Sequence, residues 1–194
     1  MSAGHGHGHG PAHHDEGSKR IGLLISILAL VLAFSETLGK GAQTEALSLN
    51  IEASNLWTFF QAKTVRLTMM KTAAESGALE LAKTSDPKTK ELYDKQIAGW
   101  RKNAERYDSE PETNEGRKEL AARAKATEQK RDRALAAYHN YEIASGAVQI
   151  AIVLASASII TGLAVLAWIA GGLGVVGVAF SLIAFSWPTA VHLF

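Results

Sequence analysis

From residue 143 to residue 187 the chain reads IASGAVQIAIVLASASIITGLAVLAWIAGGLGVVGVAFSLIAFSW, without one Asp, Glu, Lys or Arg. At roughly 1.5 Å per residue, a helix of that length far exceeds the roughly 30 Å hydrocarbon layer of a bilayer, but folded on itself it makes two spans. Ala170-Gly171-Gly172 interrupts the run and predicts a tight turn, because glycine takes turn conformations freely and weakens a helix. Pro188 stops the second arm. The reading is a span over 143–169, a second over 173–187 and a short tail, 188–194. Small residues recur four apart, Ala151 with Ala155 and Ser158 with Gly162 on the first arm, then Ala170 with Gly174 and Gly177 with Ser181 on the second. Such spacing lets helix backbones approach closely in lipid. Tyr138, Tyr141, Trp168 and Trp187 fall near the expected boundaries, where amphipathic rings prefer to sit.

Working outward, a third apolar stretch lies near the N-terminus. Residues 21–38, IGLLISILALVLAFSETL, are apolar except for Ser26, Ser35, Glu36 and Thr37 and are long enough to form one span. Lys19 and Arg20 ahead of an apolar stretch also suit a secretory signal peptide, but the stretch is long for one and so is the tail before it. It is read as a retained span. The charged side chains concentrate between Glu36 and Glu142, so a mean hydropathy near zero averages two solvents. With 20 basic and 19 acidic side chains no global field favours nucleic acid. Cysteine is absent, which removes disulfides, thiolate metal sites and a cysteine nucleophile together.

Residues 39–142 carry a helical period. Ala46, Leu49, Ala53, Leu56, Phe60, Lys63, Leu67, Met70, Ala74, Gly77 and Leu81 recur at alternating spacings of three and four, broken only by Lys63 and Gly77. Ser85-Asp86-Pro87 marks a stop and a restart, after which Tyr93, Ile97, Trp100, Ala104 and Tyr107 continue the pattern. Asp108-Ser109-Glu110-Pro111 turns the chain again. Helices are expected over about 42–83, 87–107 and 112–142. So narrow an apolar stripe must be buried against partner helices, within an antiparallel bundle or between subunits as a coiled coil.

Within that region, Glu52 to Lys71 reads EASNLWTFFQAKTVRLTMMK. Its Ala53-Ser54, Trp57 and Phe60-Gln61-Ala62-Lys63 resemble the Ala-Ser-x-x-Trp and aromatic-Gln-Ala-Lys signature of a family of bacterial membrane proteins, domain of unknown function 4337. The resemblance implies the same order of parts: a tail, one span, a charged helical middle and a C-terminal pair of spans. Phe59-Phe60 stand where tyrosines are expected, and Leu56 where a polar residue is. The family supplies no activity, substrate or catalytic residue to carry over. Trp57, Phe60, Gln61 and Lys63 are the candidate partner-binding residues, with packing of the two rings as the competing reading.

Catalytic chemistry finds no foothold. Gly39-Lys40-Gly41 lacks the upstream glycine and following hydroxyl of a phosphate-binding loop. His139 stands without a serine-centred motif. His5, His7, His9, His13 and His14 form a Gly-spaced tail, the sole candidates for metal ligation, yet flexible separators give no preorganised geometry. Residues 1–20 are expected to be disordered. The expectation is therefore an all-α integral membrane protein with about three transmembrane helices and an intervening helical hairpin or coiled-coil-like domain. It is expected to be no enzyme, to use no cofactor, and to act in assembly or partner binding. Its partners are the bilayer and a second copy or another membrane protein. An oligomeric channel or transport accessory subunit and a metal-handling role for the His tail are the alternatives. The resemblance implies a bacterial inner membrane. Lys19 and Arg20 favour a cytoplasmic N-terminus and hence a periplasmic helical domain, against which stand Lys40, Lys125, Lys130, Arg131 and Arg133 on the domain side, discounted because that loop is long.

Overall fold

A computed structural model of the chain describes residues 13–191. They form four helices, α1 His13–Lys83, α2 Pro87–Asp108, α3 Arg117–Thr161 and α4 Ala164–Ser186, closed by a 3-10 turn at Pro188–Ala190. Among the described residues there is no strand, and α1, α3 and α4 are each long and apolar enough to cross a membrane. The residues divide into two compact units, one built from the chain up to Thr44 and from Arg133 onward, the other from Glu45–Asp132.

The first unit packs the apolar part of α1 with the C-terminal part of α3 and with α4. Leu28, Val148, Ala151, Ala155 and Ala170 form its core. The small-residue spacing acts here. Gly174 leaves the space that the Leu28 side chain fills, and a Cβ at Gly177 would strike Val148 and come within 3.1 Å of the Ala144 carbonyl oxygen. The Ser35 and Ser181 hydroxyls meet at 2.8 Å across α1 and α4. The buried Asn140 amide donates to the Pro188 carbonyl at 2.9 Å, tying the end of the chain to α3. Outside, the pattern inverts: Ile160 is 85% exposed and Trp168 82%, while Ala144, Ala151, Ala155 and Ala170 are wholly buried.

Three expectations are corrected here. The turn between the C-terminal arms lies at Gly162-Leu163, and Gly171 and Gly172 sit inside α4. Gly162 takes the left-handed conformation at φ 71°, which a side chain would strain. Its N–H donates to the Ser158 carbonyl at 3.0 Å, and the Ser158 hydroxyl donates to the Leu163 carbonyl at 3.0 Å. Length explains the choice. A turn at Gly171 would leave residues 173–187 an arm of about 22 Å, whereas the 23-residue α4 measures about 35 Å. Next, α1 does not stop at Gly39-Lys40-Gly41. Gly39 lies against Tyr141, where a Cβ would sit 3.1 Å from the tyrosine Cβ, and this packing offsets the roughly 1 kcal/mol that a helical glycine costs. Finally, of the tail expected to be disordered, residues 13–20 are helical, since extending an established helix costs far less than nucleating one, and residues 1–12 lie outside the described residues.

The second unit packs α1 from Glu45 with α2 and with α3 up to Asp132, both antiparallel to α1. Every position of the stripe from Ala46 to Leu81 is buried or half-buried. Ile97 and Trp100 of α2 rest on Gly77, where a Cβ would come within 2.9 Å of the Trp100 ring. On the α3 side, Leu56 packs with Leu120 and Ala124. Asp86 caps α2 by accepting from the Thr89 N–H at 2.9 Å, with Pro87 in the first turn.

The α2–α3 connection is held by charge. Asp108 accepts from the Arg117 Nη2 and pairs with the Lys118 Nζ, each at 2.8 Å. Hydrogen bonds from Lys118 and then Arg117 hold its carboxyl below the ordinary 3.8. A depressed folded pKa means that stabilisation is fully present above the ordinary value and is lost as the pH falls through the folded one. Asp108→Asn is therefore expected to cost about 0.5–1 kcal/mol at neutral pH. Its denaturant midpoint should begin to approach that of the parent as the pH falls below 3.8 and meet it only below the depressed folded pKa, which titrated urea melts would check.

Candidate interaction surface

The signature segment lies on α1 in the second unit, where Trp57, Phe60 and Lys63 turn inward while Phe59, Arg66 and Lys71 stay exposed. The Trp57 indole N–H donates to Glu128 Oε1 at 2.9 Å. Trp57 meets Phe60 edge to face with ring centroids 5.3 Å apart, and the Arg117 guanidinium lies 5.7 Å over Phe60. Lys63 is the polar break in the apolar stripe, and its surroundings account for it. Its ammonium lies 3.7 Å from Glu110, 3.8 Å from Glu115 and 5.7 Å over the Tyr107 ring. A half-buried cation is tolerated where carboxylates and an aromatic face surround it.

Of the four candidates, Trp57, Phe60 and Lys63 thus fasten α3 and the α2–α3 connection to α1, while Gln61 is exposed and apart from them. Beside them opens a cavity of about 430 Å³ lined by Phe59, Arg66, Glu115 and Arg123. Both signs of charge line it, with the exposed Phe59 ring among them.

The face of α1 opposite the buried stripe is a second stripe that the sequence reading missed. Ser48, Ile51, Asn55, Thr58, Ala62, Val65, Met69, Thr72, Ser76 and Leu79 recur at alternating spacings of three and four, and every one is exposed. None is charged, although Glu52, Arg66, Lys71, Glu75 and Glu80 lie alongside. The Thr58 hydroxyl turns back to the Ser54 carbonyl at 2.9 Å and so presents its methyl outward. The signal was available as a run of positions without charge. It was hidden because the stronger stripe of alanine and leucine drew the periodicity.

His5, His7 and His9 lie outside the described residues, as do the side chains of His13 and His14. Among the described residues, no group of three His, Asp or Glu side chains is placed to hold a metal ion. His139 lies 3.5 Å from Glu142.

The family model described as "Domain of unknown function (DUF4337)" matches residues 17–187, nearly the whole chain, and the chain belongs to that family. No curated protein and no solved structure matches it.

Proposed function

We propose that this member of the DUF4337 family is a non-enzymatic, multi-pass protein of a bacterial inner membrane whose three-helix unit is an assembly module. It joins a second copy or another membrane protein through the uncharged outer stripe of α1. The carrying observation is that stripe: exposed Ile51, Val65, Met69 and Leu79 on a helix whose other apolar face is already buried inside the chain. A surface row at heptad spacing suits a parallel helix from a neighbouring copy, and copies in one bilayer share one orientation. The membrane reading is supported by the inverted packing of the first unit, with alanines inside and large apolar side chains outward. Lys19 and Arg20 favour a cytoplasmic N-terminus, which gives three spans a periplasmic three-helix unit.

The chain has no cysteine, so single-cysteine variants report cleanly. Val65→Cys and Met69→Cys in native membranes are expected to cross-link on mild oxidation, and Lys71→Cys, exposed but off the stripe, is not. A doubled band identifies a second copy, and a band of another mass identifies a different partner. Equal cross-linking at all three positions would sink the reading.

A further inference from the structure

A polar cleft of about 410 Å³ opens within the first unit between α1 and α3. Its lining includes Glu36, Lys40, Gln43, Glu142, Gly146 and Gln149. It sits where both helices leave their apolar stretches, with Glu36 in the last turn of the first span and Gln149 in the second turn of the next. Gln149 donates its amide N–H to Glu36 at 3.2 Å, which leaves the amide oxygen as an acceptor. Tyr138 donates its hydroxyl to Glu142 at 3.0 Å. Among the described residues neither the Glu36 carboxylate nor the Lys40 ammonium is in an ion pair. Glu142 has the His139 imidazole 3.5 Å away, so the carboxylate of the cleft left without a cationic partner is that of Glu36. A carboxylate at membrane depth is costly without one.

We propose that this cleft binds the headgroup of an ethanolamine phospholipid. The primary ammonium donates to Glu36 and to the Gln149 amide oxygen, and the phosphate lies toward Lys40. Glu36 and Lys40 are one helical turn apart, with Cβ atoms roughly 5–6 Å from one another. That spacing suits an ammonium and a phosphate joined by a two-carbon linker. A choline headgroup has no N–H to donate, and a glycerol headgroup has no cation. Gly146 leaves the cleft open, since nothing lies within 4 Å of where its Cβ would be.

The proposal rests on reading α1, α3 and α4 as membrane spans. The test is native mass spectrometry of the delipidated full chain in mild detergent, given equal amounts of ethanolamine, choline and glycerol phospholipids with identical acyl chains. The ethanolamine lipid is expected to be retained roughly tenfold better than either other, the scale of one charge-assisted hydrogen-bonding group. Glu36→Gln removes the charge and Gly146→Leu fills the space. Each should reduce retention to the level of the choline lipid, while Glu52→Gln in the other unit leaves it unchanged. Equal retention of the three lipids by the parent overturns the proposal, as does a preference that survives both cleft variants. Binding of soluble phosphoethanolamine without retention of the lipid would put the ligand in solution and overturn the lipid assignment. Recovery of the chain outside the membrane fraction of cells would sink the span reading itself, separately from these outcomes.

Discussion

Gly177→Val should lower the stability of the first unit by about 3 kcal/mol or more, at the upper end of what overpacking costs. A Cβ at that position falls on the Val148 side chain and near the Ala144 carbonyl, and Val148 and Ala144 are themselves fully buried. Neither helix can yield alone. Moving α4 outward would open the contact between Leu28 and Gly174. Thermal unfolding of the purified protein in one detergent should show the loss. Shortening the obstacle with Val148→Ala in the same chain should restore much of it, because the two substitutions share one space and are not additive. A Gly177→Val protein as stable as the parent would mean that α3 and α4 do not pack here as described.

The second large effect is expected at the α2–α3 connection. A Cβ on the buried Gly116 would collide with the Glu119 carboxylate and the Glu110 backbone nitrogen, and would lie 2.7 Å from the Ser109 Cα. The Glu119 carboxylate is already committed, accepting from the Ser109 hydroxyl at 2.6 Å and the Glu110 N–H at 3.1 Å. Gly116→Ala therefore breaks the clasp that joins the end of α2 to the start of α3. The expected cost is about 2–3 kcal/mol, overpacking combined with the loss of hydrogen bonds. Because the damage is local, hydrogen exchange should quicken over residues 105–120 and stay unchanged in α4. Uniform quickening along the chain would contradict the local account.

Much of this architecture was legible because burial follows spacing. The stripe from Ala46 to Leu81 and its continuation from Tyr93 to Tyr107 mark their own inner faces, and Asp86-Pro87 announces a helix start by cap and ring geometry. The Gly162 turn was not legible. A glycine pair is a louder signal than a single glycine, and what decides between them is the arm length each leaves and the left-handed conformation at Gly162, a property of the folded chain. The roles of Trp57 and Lys63 were hidden for a similar reason. Their partners Glu128, Glu110 and Glu115 are remote in sequence and lie on faces that could equally be solvated.

On the proposed reading of α3 and α4 as membrane spans, the Gly162-Leu163 connection bears on how the protein is made. It joins two apolar arms with no ionisable group at the bend, and the backbone of each arm is satisfied within its own helix. Carrying such a bend across a bilayer exposes only a few polar groups to hydrocarbon. The arms would then enter together as a closed pair, and the direction of entry falls to the chain before Ile143, where Lys19 and Arg20 favour a cytoplasmic N-terminus and Arg131 and Arg133 pull the other way. In that picture residues 143–187 have no orientation of their own and inherit it from what the ribosome has already delivered.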